Sequence, residues 1–218
     1  MFTRVVQLLV GLALFGAGCA VMIEAGIGLD PWTVFAEGIS NRTGLGIGWV
    51  VNLTGFLVLL AWIPLRQRPG IGTVANILLV GTAIQLTLPL LSTPEPWLPR
   101  VGMFLAGTLL VGIASGIYLG ARWGAGPRDG LMTGLHERFG WPIWASRLGV
   151  EATVLLVGWL LGGTVGLGTV LFAVLIGPIV HVSVPLFDRR RSSRRARTPD
   201  EPPVESDAPA VGLSAPGT

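Results

Sequence analysis

The segment PIWASRLGVEATVLLVGWLL, residues 142–161, sets an arginine and a carboxylate, Arg147 and Glu151, into an otherwise apolar run. Four apart on a helix, the two share a face and can pair. Ionisable groups inside such a run are costly and point to function by default. Glu151 can accept a proton, Arg147 can hold Glu151 or an anion, and His181 in a later run can relay a proton near neutral pH. At 1.5 Å per residue, Glu151 stands ~13 Å from Pro142, close to the middle of a bilayer. The same residue types suit a bland role equally: an ion pair that locks helices, with Arg147 reaching for the headgroups, and a satisfied interior histidine. Asn52 and Gln85 are polar residues of two earlier apolar runs, and Asp30, Arg128 and Asp129 stand at two turns. These eight residues are the candidates for a substrate or proton path.

The elements that must position them are set by composition. Of 218 residues, 51% are hydrophobic and 12% charged, against about 25% charged in a soluble domain. Runs at roughly 5–24, 48–65, 72–91, 101–120, 142–161 and 165–187 are each about long enough to cross a ~30 Å hydrocarbon core. Six spans of an all-α membrane protein follow, and the glycines inside them let helices approach closely. Cys19 is the single cysteine, so no disulfide forms within one chain. There is no HExxH, P-loop or Cys/His cluster, so neither metal nor cofactor is expected, and the chain does not read as an enzyme. Ser115 with His181 loosely resembles an intramembrane serine protease. The glycine expected two residues before the serine is missing, however, and Ser115 reads better as a small packing residue.

Arg4, Arg66, Arg68, Arg122, Arg128, Arg138 and the Arg-rich segment Arg189–Arg197 fall on one side of a six-span arrangement, while Arg42 and Arg100 fall on the other. The positive-inside rule then places both termini in the cytoplasm of a bacterium, with the chain in the inner membrane. Basic residues so placed speak for the membrane surface and not for nucleic acid. The tail, 188–218, is Arg-rich and then Pro-rich and acidic, and is expected to be disordered. Its block Arg189–Arg197 could attract anionic lipid or serve only as a topology anchor.

The chain also repeats itself at an offset of 96. Gly11, Gly16, Gly28 and Pro31 meet Gly107, Gly112, Gly124 and Pro127; GIGTV at 70–74 meets GLGTV at 166–170; Gly81 meets Gly177; Gln85 meets His181; and Ser115 meets Cys19. One fixed register over a whole half is the mark of duplication. Three spans per half is an odd number, so repeat one (about 4–91) and repeat two (about 100–187) are expected with inverted topology. Each half has a short helix after its first span, at about 31–42 and 127–138, opened by Pro31 or Pro127. Asp30 is the expected cap of the first; Gly126 holds that place in the second, with Asp129 further on. Two readings of these helices stand open: amphipathic and surface-lying, or half-inserted with N–H groups facing a polar cavity.

GLDPWTVFAEGISNRTGLGIGWV followed by WIPLRQRPGIGTVAN, and in the second half GAGPRDGLMTGL followed by GLGTVLFAVLIGP, resemble the YczE/YyaS/YitT-type bacterial membrane proteins over about 1–187. The resemblance implies a polytopic inner-membrane protein and supplies no catalytic residues. The residues themselves favour secondary transport of an unidentified small molecule. The alternative is a non-transporting accessory or scaffold protein that binds a protein partner or lipid. A homo-oligomer is compatible with either.

Overall fold

The computed structural model describes residues 2–124 and 126–188, and these are all-helical. The helices are α1 (Phe2–Ala25), α2 (Pro31–Thr43), α3 (Ile47–Leu65), α4 (Ile71–Thr87), α5 (Trp97–Gly120), α6 (Pro127–Phe139), α7 (Ile143–Leu160) and α8 (Leu167–Phe187). Six are long and apolar enough to cross a membrane: α1, α3, α4 with the 3-10 turn Leu88–Leu90, α5, α7 and α8. The expected runs match these within a few residues. The third ends early as α-helix because Pro89 lacks an N–H and crowds the preceding turn. Of the tail, only Asp188 is described; it pairs with Arg122 at 2.5 Å. The disorder expected beyond it, and the lipid contact expected at Arg189–Arg197, lie outside the described residues.

The centre of the molecule is the crossing of α1 and α5. In lipid, helix association depends on close packing, and small residues permit it. A Cβ on Gly107 would stand 2.8 Å from the Met22 side chain and 3.0 Å from the Gly18 carbonyl, and one on Gly11 2.7 Å from the Tyr118 nitrogen. Gly11–Tyr118 and Gly107–Met22 are the same contact with the halves exchanged. Around this crossing α4 packs on α1 at Gly16, and α8 packs on α5 at Gly112. The Gly72 N–H donates to the Trp123 carbonyl and the Gly168 N–H to the Ile27 carbonyl, both at 2.8 Å, fixing the starts of α4 and α8.

The short helices are packed elements. α2 lies against α7 and α3, with Trp32, Val34 and Ala36 buried; Gly38 meets the Gly158 backbone. α6 lies against α3 and α7, with Gly130 under the Trp62 ring. Buried faces thus hold both helices against the spans.

One contact has no counterpart. α3 packs on α4 through Gly48 and Gly81, where a Cβ on Gly81 would stand 2.1 Å from the Gly48 carbonyl. Among the described residues no such packing forms between α7 and α8, and Gly177, which corresponds to Gly81, has none of them within 4 Å of the place a Cβ would take.

Candidate functional site

The first turns of α2 and α6 meet at a cavity of about 690 Å³. Asp30 caps α2: its carboxylate accepts from the N–H groups of Trp32 (3.2 Å) and Thr33 (3.3 Å) and from the Thr33 hydroxyl. Pro31 occupies the first helical position, where a missing N–H costs nothing. Gly126 is the N-cap of α6 and has no side chain to cap it, and the Asp129 carboxylate of the first turn lies against Gly126, 3.4 Å from the place a Cβ would take there. Trp62 fixes this end of α6 by donating from its indole to the Pro127 carbonyl at 3.0 Å.

Charge is arranged in pairs. The Arg128 guanidinium reaches Asp30 at 3.4 Å and lies 5.0 Å from the centre of the Trp32 ring. Arg147 meets Glu151 at 3.2 Å, one turn apart on α7 as the spacing requires. Asp129 makes no salt bridge among the described residues. Its carboxylate is exposed and opens onto the cavity. Burial pushes its pKa above the ordinary value; Arg147, Arg128 and the Gly126 N–H pull the other way and do not prevail.

The cavity brings together Asp30, Arg128, Asp129, Arg147 and Glu151 among the sequence candidates. It also gathers Trp32, Tyr118 and Asn76, which the sequence reading did not single out. The buried Trp32 indole N–H has no hydrogen-bond partner among the described residues. The one signal for Trp32 was its register: it is the counterpart of Arg128, on the same turn of the other half. Much of the lining falls in pairs 96 apart, such as Phe15 with Val111, Pro31 with Pro127, Ala36 with Met132, Val51 with Arg147, Gly55 with Glu151 and Val80 with Ile176. Where the first half offers valine and glycine, the second offers Arg147 and Glu151.

Three candidates lie elsewhere. Asn52 and Gln85 belong to the α3–α4 contact. Asn52 donates to the Thr82 hydroxyl at 3.2 Å, and Gln85 stands against Gly46 and Gly48. His181 is exposed on α8 and is absent from the cavity lining. As the counterpart of Gln85 it occupies the face that α7 would cover if α7 and α8 packed. Ser115 lines the cavity, but its hydroxyl donates to the Val111 carbonyl at 2.7 Å, which marks it as a packing residue. No group of three potential metal ligands occurs among the described residues. The arrangement can hold a molecule with an apolar body and a charge, and can load or release a proton at Asp129.

The sequence pattern of a family of unknown function (DUF6198) matches residues 2–185. The chain is 41% identical to an uncharacterised protein of Haemophilus influenzae over 84% of each chain. It is 34% identical to the uncharacterised membrane protein YczE of Bacillus subtilis, covering 89% of this chain and 93% of that one. It is 27% identical to the uncharacterised protein YyaS of the same organism, covering 86% and 96%. No solved structure matches.

Proposed function

The chain belongs to this family of unknown function (DUF6198) and is a multi-pass membrane protein, and we propose that it is a secondary transporter of a small molecule. The observation that carries the reading is the cavity itself, into which the first turns of α2 and α6 bring charged residues from both halves. In this reading the halves are inverted repeats, and exchanging their conformations moves the cavity opening from one side to the other. The unequal contacts of α3–α4 and α7–α8 support it, since two halves built alike but packed differently define two states by exchange. The chain sits in the inner membrane with both termini in the cytoplasm, and no bond is made or broken in the substrate.

Reconstitution into proteoliposomes tests this. A panel of small organic cations, anions and neutral metabolites is offered under an imposed pH gradient, with proton flux read by a trapped dye. The reading expects at least one compound to drive flux through the wild type and none to do so through Glu151→Gln. Silence across the panel, together with co-purification of one protein partner in fixed ratio, would replace transport by the accessory role.

A further inference from the structure

Every cation in the cavity is already engaged. Arg128 is held by Asp30 and by the Trp32 face, and Arg147 is held by Glu151. An organic anion would have to break one of these pairs to bind. The carboxylates, in contrast, are in excess: Asp30, Asp129 and Glu151 stand against Arg128 and Arg147. Asp30 is saturated by two N–H groups, a hydroxyl and Arg128. Asp129 therefore holds the unbalanced charge, and it faces the open space. The same cavity is lined by the aromatic rings of Phe15, Tyr118 and Phe172, and aromatic faces attract cations. The buried Trp32 N–H has no partner among the described residues, which leaves a place for a hydrogen-bond acceptor on the body of a ligand. The absent α7–α8 packing leaves the cavity bordered by two helices that do not close on each other along their spans. That gap offers a route for molecules already dissolved in the bilayer.

We propose that the cavity binds a lipid-soluble organic monocation at Asp129. The charge balances: one positive charge meets one unpaired carboxylate, and no covalent bond to the ligand forms. The titratable and charged groups that share the cavity with Asp129 are Arg128 on its own helix, Arg147 and Glu151 from α7, Tyr118 from α5 and Asp30 from the start of α2, with uncharged Thr54 and Asn76 from α3 and α4. Burial raises the pKa of Asp129, so a proton competes with the cation for this carboxylate and binding strengthens as pH rises. The proposal rests on the cavity being the ligand site of the transport reading.

The test uses two probes of like shape and opposite charge, tetraphenylphosphonium and tetraphenylborate, titrated against the purified full chain in detergent with empty micelles subtracted. The wild type should bind the phosphonium, more tightly at higher pH, and the borate about tenfold more weakly or worse. Asp129→Asn should weaken phosphonium binding about tenfold with the melting temperature intact, and Asp129→Glu should keep the preference for the cation. No phosphonium binding, equal or tighter borate binding, or an Asp129→Asn protein that binds like the wild type would each overturn the proposal. The two readings fail separately. Flux of an anion or neutral compound without phosphonium binding sinks the cation class alone. Asp129-dependent phosphonium binding with no phosphonium flux in proteoliposomes sinks transport alone.

Discussion

Arg128 and Asp30, 98 positions apart in the chain, meet at 3.4 Å and tie the first turn of α6 to the cap of α2. Asp30 thus serves two ends at once: it ends the unsatisfied N–H groups of one short helix and neutralises the guanidinium of the other. Replacing it by alanine removes both functions. The cap alone is worth about 1 kcal/mol, up to about 2, and Arg128 is left half-buried without its partner. Asp30→Asn keeps an acceptor for the α2 N–H groups and loses only the charge. Equilibrium unfolding in detergent should therefore rank wild type, Asp30→Asn and Asp30→Ala in falling stability. Equal losses for the two variants would mean that the cap contributes little.

The pair on α7 separates structure from mechanism. Exchanging the charges, Arg147→Glu with Glu151→Arg, keeps an ion pair one turn apart on the same face. If the pair only locks helices, the exchange should restore whatever Glu151→Gln loses. The transport reading expects the exchanged protein to regain its melting temperature and to remain without flux.

Two glycines at matching positions should behave differently. Gly81→Val forces a side chain into the Gly48 backbone, so folded protein should be lost or strongly destabilised. A Cβ at Gly177 would meet nothing within 4 Å, so Gly177→Val should fold normally. If α8 closes on α7 during the transport cycle, that same variant should block flux. Cysteines at Leu148 and Gly177, which correspond to Asn52 and Gly81, should cross-link in membranes when the gap closes. A cross-link that never forms would make the α7–α8 gap permanent.

The pH dependence of stability follows from Asp129. Its carboxyl has a folded-state pKa above the ordinary value of 3.8. The unfolded chain therefore gives up this proton first as pH rises, and the folded state loses stability from that point up to the folded-state pKa. Asp129→Asn does not titrate. The variant and wild type should be alike in strong acid, and the variant should become the more stable of the two as pH rises to neutral. Melting temperatures across that range check the sign; a variant less stable than wild type at neutral pH would contradict it.

Much of the architecture was legible because it depends on local signals. Long apolar runs read as spans; Asp30 before Pro31 reads as a cap; Arg147 and Glu151 four apart read as a pair, and each takes that place. What one residue type cannot carry is rotation about a helix axis. Asn52 and Gln85 are as polar as the cavity residues, but their helices turn them into the α3–α4 contact. His181 stays outside because the helix that would cover it stands away. Trp32 gave no signal of its own, since an aromatic side chain on a short helix is ordinary packing until an arginine from the other half is found over its ring. The meeting of Arg128 with Asp30 was likewise invisible, because each belongs to a different half and only the packing of α2 and α6 around the spans brings them together.

The cross-packing of the short helices has a consequence for biogenesis. α2 is seated on α7, and α6 on α3. During synthesis the first half leaves the ribosome with α2 lacking its main support and with the glycine face of α1 uncovered, and neither can be completed until the second half has been inserted. The first half is thus an unfinished client of the insertion machinery and not a preformed module, and truncation after α4 should yield a degraded fragment. The two halves supplied as separate chains should find each other in the bilayer, because most of what each one needs is carried by the other.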